Sequence, residues 1–192
     1  MAMLRIAYAL SFRLRRLFTA LILRRVYGHV GAGAVIFAQK MVRFPQFISV
    51  GDRSIIRYGG RIEMVRHGQA WEPSLTIGHD VNIEQNVHIV CHDTIVIGNN
   101  VSITGNCAIV DVSHPADAIE QGRKIGDTID PARSRVEIGD HCFIGFGTVI
   151  LPNVTIGRNT VIGARSLVTS DIPDNVIAAG SPARVIRSRL AP

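Results

Sequence analysis

An aliphatic residue recurs every six positions through most of residues 75–173. Six residues of α-helix turn through about 600°, so these side chains would drift around a helix. Three short strands per turn would instead return the aliphatic residue to one interior line about every 18 residues. The repeat therefore predicts an all-β solenoid, a parallel β-helix whose coils stack at about 4.8 Å. The aliphatic positions are Ile77, Ile83, Ile89, Ile95, Ile97, Ile103, Ile109, Ile138, Ile144, Ile150, Ile156, Ile162 and Val168.

The chain divides around this repeat. Residues 31–74 are a more degenerate stretch that we expect to form the first one or two coils, and residues 75–173 are the regular β-helix. The repeat is interrupted after Ile109, which predicts that residues 111–137 leave the solenoid as a long loop. Residues 174–192 form a C-terminal tail, and small inward positions such as Cys107 and Cys142 are predicted to be packing residues.

Residues 1–30 predict an N-terminal amphipathic α-helix. The segment from residue 4 to 27 has no Gly or Pro and is rich in Leu, Ala and Arg. At about 100° per residue one side carries Arg5, Arg13, Arg16 and Arg24, and the other carries Leu10, Leu14, Leu17, Phe18 and Leu21. The longest uncharged run is too short to span a bilayer. Two interpretations remain open: peripheral contact with an anionic membrane, or a cap on the solenoid.

Charge and cysteine content limit the partners and the compartment. The net charge is +6, but the basic residues concentrate at the two ends of the chain. Basic residues interleaved with stacking aromatics are absent from the repeat, which argues against nucleic acid as a partner. Three cysteines without a CxxC motif suit a reducing compartment. We therefore expect a cytoplasmic protein, with the inner face of the membrane as a site of peripheral contact.

The C-terminal half carries the most specific motifs. Residues 136–187 read VEIGDHCFIGFGTVILPNVTIGRNTVIGARSLVTSDIPDNVIAAGSPARVIR, and the long loop opens with Ser113-His114-Pro115. This sequence resembles the hexapeptide-repeat acyltransferases, in particular the maltose, galactoside and surface-polysaccharide O-acetyltransferases. The resemblance implies a left-handed β-helix, a homotrimer, and acetyl-CoA bound in a groove between neighbouring subunits.

His114 is the predicted catalytic base. The resemblance places it at the position of the catalytic histidine, and acyl transfer to a hydroxyl needs a base that works near neutral pH, as imidazole does. A carboxylate or a backbone carbonyl is expected to orient the ring. Asp111 and Asp93 are candidates, with a role in a turn as the alternative for each. Asn86 matches an asparagine near the acceptor hydroxyl in similar enzymes, and could equally be a left-handed turn residue.

The acetyl-CoA site is predicted from the resemblance. The backbone N–H of Phe146 is expected to face the thioester oxygen, where an oxyanion develops. Arg184 and Arg187 match basic residues that meet the nucleotide phosphates. Phe143 is expected to stack or pack beside the cofactor. The positions predicted along the pantetheine arm are Gly145, Phe146, Gly147, Ala164 and Thr169.

The predicted function is transfer of an acetyl group from acetyl-CoA to a hydroxyl of a saccharide in surface-polysaccharide biosynthesis, with a lipid-linked acceptor as one alternative. A metal enzyme like the γ-type carbonic anhydrases is a second function class, but those enzymes use HxxxxH. Here His88 and His92 have HxxxH spacing, so no metal is expected. A non-catalytic structural solenoid is the third.

Overall fold

The structure is a computed structural model that describes residues 2–66, 68, 70–115, 120, 122 and 124–190, with side chains from residue 9 onward. One α-helix, α1 (Ala2–Leu21), is followed by short 3-10 helices at Leu23–Arg25, Pro45–Phe47 and Ile125–Asp127. The described residues then form six triangular coils of three strands each and a final hairpin. The predicted all-β fold, a left-handed parallel β-helix with an N-terminal helix, is confirmed.

Three sheets form the faces of the solenoid, and their strands are parallel except in the final antiparallel hairpin. Sheet A contains β1 (His29–Val30), β4 (Ile48–Val50), β7 (Ser74–Ile77), β10 (Thr94–Ile97), β13 (Arg135–Ile138) and β16 (Thr155–Ile156). Sheet B contains β2 (Val35–Ile36), β5 (Ile55–Ile56), β8 (Asn82–Ile83), β11 (Ser102–Ile103), β14 (Phe143–Ile144), β17 (Val161–Ile162), β19 (Val176–Gly180) and β20 (Ala183–Ser188). Sheet C contains β3 (Met41–Arg43), β6 (Arg61–Met64), β9 (His88–Cys91), β12 (Ala108–Val110), β15 (Val149–Ile150) and β18 (Leu167–Val168).

The strand register shows that coil length varies. In the C-terminal coils Ile156 pairs with Ile138, which is the separation that the repeat predicts. In the middle coils Ile97 pairs with Ile77, which is a wider separation along the chain. The expected coil length therefore holds only in the C-terminal coils. The middle coils are longer because their sheet A strands, such as β10, carry two inward residues. Segments inserted after β6 and after β12 both leave the solenoid at the corner between sheets C and A.

Stacked aliphatic side chains fill the interior. Each strand of the regular repeat turns its aliphatic residue inward, and Ile89, Ile109 and Ile150 are fully buried in one such column of sheet C. Cys107 and Cys142 are buried in the same core, as predicted. Close-packed layers of this kind give the solenoid a continuous core that no single coil could form alone.

The long loop and the helix end earlier than the sequence predicts. Strand β13 begins at Arg135, so the loop comprises residues 111–134 rather than 111–137, because Val136 is already an inward, buried residue of sheet A. Residues 116–119, 121 and 123 of this loop lie outside the described residues. The helix ends at Leu21 instead of continuing to residue 27, and the chain tightens into the 3-10 turn before entering the first coil at His29.

The helix α1 caps the open edge of the first coil. Thr19, fully buried, accepts a hydrogen bond from the backbone N–H of Ile36 at 3.1 Å, and Arg15 donates to the carbonyl of Ile36. The helix thus satisfies both backbone groups that β2 would otherwise leave unpaired. Arg5 is predicted to lie on the basic side of the helix, but its side chain lies outside the described part of the structure. Within the described part of the chain, no helix combines the length and apolarity needed to cross a membrane.

Candidate functional site

His114 lies just beyond the corner where the long loop leaves sheet C, and its ring is fixed from one side. The Nδ1 atom of His114 lies 2.6 Å from the carbonyl oxygen of Thr128. A carbonyl can only accept, so Nδ1 carries the proton and Nε2 keeps its lone pair in the neutral ring. The backbone N–H of Asp130 donates to the carbonyl of Ser113 at 3.0 Å, which holds the two ends of this loop segment together. The partner that orients His114 is therefore a backbone carbonyl.

Asp111 does not orient His114. Its two carboxylate oxygens accept hydrogen bonds from the backbone N–H groups of His92 and Asp93, the latter at 2.9 Å. Burial raises the pKa of the Asp111 carboxyl, while these N–H donors act in the opposite direction. The carboxylate shapes the turn of the preceding coil. This corrects the interpretation of Asp111 as a catalytic partner, since its hydrogen bonds to described residues do not reach the imidazole.

Asp93 anchors the returning end of the loop. Because Val110 pairs with Val90, Cys91 rather than Asp93 lies directly below Asp111. Asp93 accepts hydrogen bonds from the Arg133 guanidinium at 2.6 Å and from the backbone N–H of Ser134 at 2.9 Å. The Arg133 guanidinium also lies 4.8 Å from the ring centre of Trp71, at a cation–π distance. Asp93 and Asp111 therefore support the loop that carries His114 without touching the ring.

A column of unbonded N–H groups runs along the corner between sheets B and C. The backbone N–H groups of Gln85, Gly105, Phe146 and Ala164 occupy equivalent positions in successive coils, and none donates to a described residue. At the corner between sheets A and B, the equivalent N–H groups donate to side chains of the next coil, except that of Asp140. These donors belong to Ala32, Asp52, His79, Asn99 and Arg158. The B–C corner therefore offers a row of backbone donors to an extended ligand that carries amide or thioester oxygens.

The predicted donor-site residues Gly145, Phe146, Gly147 and Ala164 all lie on this corner. A Cβ at Gly145 would lie 2.5 Å from the Ala164 nitrogen, and Gly147 has φ +69°. Gly145 is therefore required by the close stacking of the turn, while Gly147 takes a left-handed position that Asn106 and Arg165 fill in the neighbouring coils. The ring of Phe146 is half exposed beside Gly105, and Phe143 is half exposed on the outer face of β14. The two aromatic rings provide apolar surface next to the N–H column.

Asn86 lies on the same corner in the left-handed conformation, with φ +58°. Its backbone N–H donates to the carbonyl of Tyr58 at 3.2 Å, and its side chain is exposed. Asn106 takes the equivalent position in the next coil with the same φ of +58°. Asn86 therefore serves the turn, while its exposed amide is available to a ligand at this corner.

Arg184 and Arg187 lie on β20, the last strand of the hairpin that closes the C-terminal end. Both side chains are exposed, and their hydrogen bonds to described residues go only to nearby carbonyls of Ala183 and Ser188. Neither forms an ion pair within the described part of the chain. Thr169 is exposed directly after β18. The two arginines are available to a polyanion near the end of the N–H column, whereas Thr169 lies across sheet C from that column.

The structure does not bring His114 and the N–H column together within one chain. The column lies at the corner before sheet C, and His114 follows the corner after it. Five residues separate Asn106 from Asp111 across this face, or about 16 Å at the rise of a β-strand. A single chain therefore places these two elements at different corners of the solenoid.

The two histidines with HxxxH spacing do not form part of a metal site. His92 is buried against Trp71, with ring centres 5.6 Å apart, whereas His88 lies partly exposed on the outer face of sheet C. Across the described ranges, no group of three His, Cys, Asp or Glu side chains is arranged to hold a metal ion.

Residues 135–170 match the model of the bacterial transferase hexapeptide family with its six repeats. The galactoside O-acetyltransferase of Escherichia coli K12 is 43% identical over 114 residues, which cover 59% of this chain and 54% of that protein. A putative lipopolysaccharide biosynthesis O-acetyl transferase of the same strain is 27% identical over 158 residues, covering 77% and 78%. A hexapeptide-repeat acetyltransferase of Vibrio cholerae, solved with acetyl coenzyme A, is 26% identical with a TM-score of 0.58 and coverage of 88% and 74%.

These matches confirm the predicted resemblance. The chain has the left-handed β-helix fold and is similar to hexapeptide-repeat acetyltransferases, among them a galactoside O-acetyltransferase and a putative lipopolysaccharide biosynthesis O-acetyl transferase. The chain spans about half the length of the first curated relatives that it matches. The family model covers β13 to β18, where the N–H column meets Phe146 and Ala164.

Proposed function

We propose that the protein is an acetyl-CoA-dependent O-acetyltransferase that acts on a saccharide hydroxyl. The observation that carries the proposal is the contact of His114 Nδ1 with the Thr128 carbonyl. This contact leaves Nε2 as an unprotonated base at the root of a loop. The names of the galactoside and lipopolysaccharide relatives support a saccharide acceptor in surface-polysaccharide biosynthesis. An acceptor on a lipid carrier fits the same chemistry.

The proposed reaction is a direct transfer. Nε2 of His114 removes the proton of the acceptor hydroxyl as its oxygen attacks the thioester carbonyl carbon. The carbonyl oxygen gains negative charge, which the N–H of Phe146 stabilises. Collapse of the tetrahedral intermediate expels the thiolate of coenzyme A, which takes the proton from the imidazolium. The products are the acetyl ester and free coenzyme A.

The proposed donor site uses the B–C corner. The acetyl-CoA complex of the Vibrio relative supports this cofactor. The N–H groups of Phe146 and Ala164 suit the amide and thioester oxygens of the pantetheine arm, and Phe143 packs beside it. Arg184 and Arg187 suit the phosphates. We also propose a homotrimer, because the separation of His114 from the corner within one chain requires the site to lie between neighbouring copies.

The test replaces His114 by Ala and follows release of coenzyme A with a panel of saccharides. We expect a loss of about two orders of magnitude or more in turnover, with acetyl-CoA binding unchanged, because a general base acts only in the chemical step. His29→Ala, an exposed histidine of the first coil, is the control and should keep full turnover. If His114→Ala acetylates the acceptor of the wild-type enzyme at the wild-type rate, this mechanism is excluded.

A further inference from the structure

The helix α1 presents a stripe of leucines to solvent. Leu10, Leu14, Leu17 and Leu21 follow the i, i+4, i+7, i+11 spacing of one helix face, and their side chains are 54–59% exposed. We name this stripe the leucine face. Phe18 and Ile22 widen it and are also exposed. An apolar strip of this length on one helix is unusual for a surface that meets only water.

The leucine face is opposite the face that docks on the solenoid. The docking face is formed by Thr19 and Arg15 at the edge of β2 and by Phe12, whose ring lies 5.8 Å from that of Phe37. The cap therefore uses the face formed by Phe12, Arg15 and Thr19 and leaves the leucines outward. The exposed apolar surface is not explained by the capping role, because a cap needs only the docking face.

Positive charge is concentrated at the same end of the molecule as the leucine face. Residues 1–51 contain eight Arg and Lys residues and no Asp or Glu, while the other 141 residues together carry a net charge of −2. The exposed side chains of Arg13, Arg16, Arg24 and Arg25 lie beside the leucine face or just after it in the chain. The helical end of the molecule is thus both apolar and strongly cationic.

We propose that the leucine face docks the protein on an anionic lipid bilayer. An interfacial helix inserts an apolar face to shallow depth, while flanking arginines contact acidic headgroups. A second copy of the chain is a poorer occupant, because two such ends would bring like charges together. If the protein is a trimer whose solenoids lie side by side, three helices meet the same surface and bind with avidity. The docking would hold the enzyme at the inner face of the membrane.

The test is co-sedimentation of the full chain with phosphatidylcholine vesicles that contain or lack phosphatidylglycerol. We expect binding to the anionic vesicles at low salt, little binding to neutral vesicles, and release as salt is raised. Leu14→Gln with Leu17→Gln should weaken binding at least tenfold. Ala9→Gln with Ala20→Gln adds the same amides to exposed positions away from the leucine face and should bind normally. These point variants keep the docking face, whereas deletion of the helix would expose the first coil.

A second pair of variants tests the charges. Arg13→Gln with Arg24→Gln should weaken binding and its salt dependence, whereas Arg135→Gln with Arg158→Gln removes the same charge from the C-terminal half and should not. Equal binding by the leucine variant and wild type, or no binding to anionic vesicles, would overturn the proposal. So would a leucine variant that changes the sedimenting mass of the protein without vesicles, because the leucines would then join copies of the chain. None of these outcomes depends on acetyl transfer.

Discussion

Asp111 shows how a single buried carboxylate supports the site without entering it. Its oxygens hold the backbone of His92 and Asp93, and Asp93 in turn holds Arg133 and Ser134 where the loop returns. The two carboxylates thus link the outgoing end of the loop to its returning end. The position of His114 depends on this pair although neither touches the ring.

The Asp111→Asn variant tests this support. An amide has one acceptor oxygen for the two N–H groups, so we expect a loss of about 1–3 kcal/mol in the free energy of unfolding. Burial raises the pKa of Asp111 above its unfolded value, so the stabilisation it gives is greatest below the unfolded pKa of about 4 and falls as pH rises through the folded pKa. The difference between wild type and variant in urea unfolding should therefore shrink from pH 4 to pH 7. A difference that grows with pH would contradict the raised pKa.

The sequence singles out His114 but does not identify the group that orients its ring. His114 is recognisable from the loop-opening motif, and a backbone carbonyl is among its expected partners. Thr128 cannot be chosen in advance, because it lies well after His114 in a loop without periodicity. For Asp111 the sequence leaves a catalytic role and a role in a turn open, and its hydrogen bonds fit the turn. Closeness in sequence to His114 does not show that the Asp111 side chain turns into the preceding coil.

At the scale of elements, the B–C corner carries a continuous column of unbonded backbone donors, whereas most equivalent donors of the A–B corner are bonded. Gly145 is required for the close stacking of the B–C corner, so its presence in the sequence does not by itself reveal a ligand site. The strand register reveals the candidate site, because it shows which N–H groups remain unbonded once the coils are aligned. The repeat predicts the coils, but the greater length of the middle coils follows only from the structure.

Amide hydrogen exchange tests the donor corner. The N–H groups of Phe146 and Ala164 should exchange rapidly in the free protein and slow on addition of acetyl-CoA, because the cofactor supplies the missing acceptors. The amides of His79 and Asn99 on the A–B corner already have side-chain acceptors and should not change. Equal slowing at both corners, or slowing at neither, would move the cofactor away from the B–C corner.

The C-terminal hairpin is the second element with a specific expectation. Replacing Arg184 and Arg187 by Ala should raise the KM for acetyl-CoA by about tenfold or more while kcat changes less, since phosphate contacts lie far from the reacting carbon. Arg189→Ala is the matched control, because that guanidinium is already bonded to Asn159. An unchanged KM in the double variant would place the phosphates elsewhere.

The capping contact of α1 has its own test. Thr19→Val keeps the shape of the buried side chain but leaves the N–H of Ile36 without its acceptor, so we expect a loss of about 1–3 kcal/mol in the free energy of unfolding. Thr155→Val changes an exposed threonine on β16 and should shift the stability by less than about 0.5 kcal/mol. Equal stability of wild type and Thr19→Val in chemical denaturation would show that the cap does not depend on this bond.

At the scale of the whole molecule, three structural features are separated along the length of the solenoid and around its perimeter. The cationic end carries the helix, the C–A corner carries His114, and the B–C corner of the later coils carries the N–H column. The sequence predicts this order along the chain because the repeat is regular. It does not predict which corner each element occupies, because the two insertions and the longer coils change the phase of the repeat.

We propose that the active site is shared between neighbouring chains. Neither corner is sufficient alone, so each site combines the His114 of one chain with the N–H column of its neighbour. Two variants remove one half each: His114→Ala removes the base, and Ala164→Trp fills the corner beside the column. Each homotrimer should therefore be almost inactive.

The decisive measurement is the turnover of mixed trimers, co-expressed with two affinity tags on the two variants and purified on both. In a cyclic trimer of mixed chains, one site receives an intact His114 and an intact corner, so we predict about one third of wild-type coenzyme A release. Mixed trimers that are no more active than the two variant homotrimers would contradict the shared site. His114 and the N–H column would then have to act within one chain.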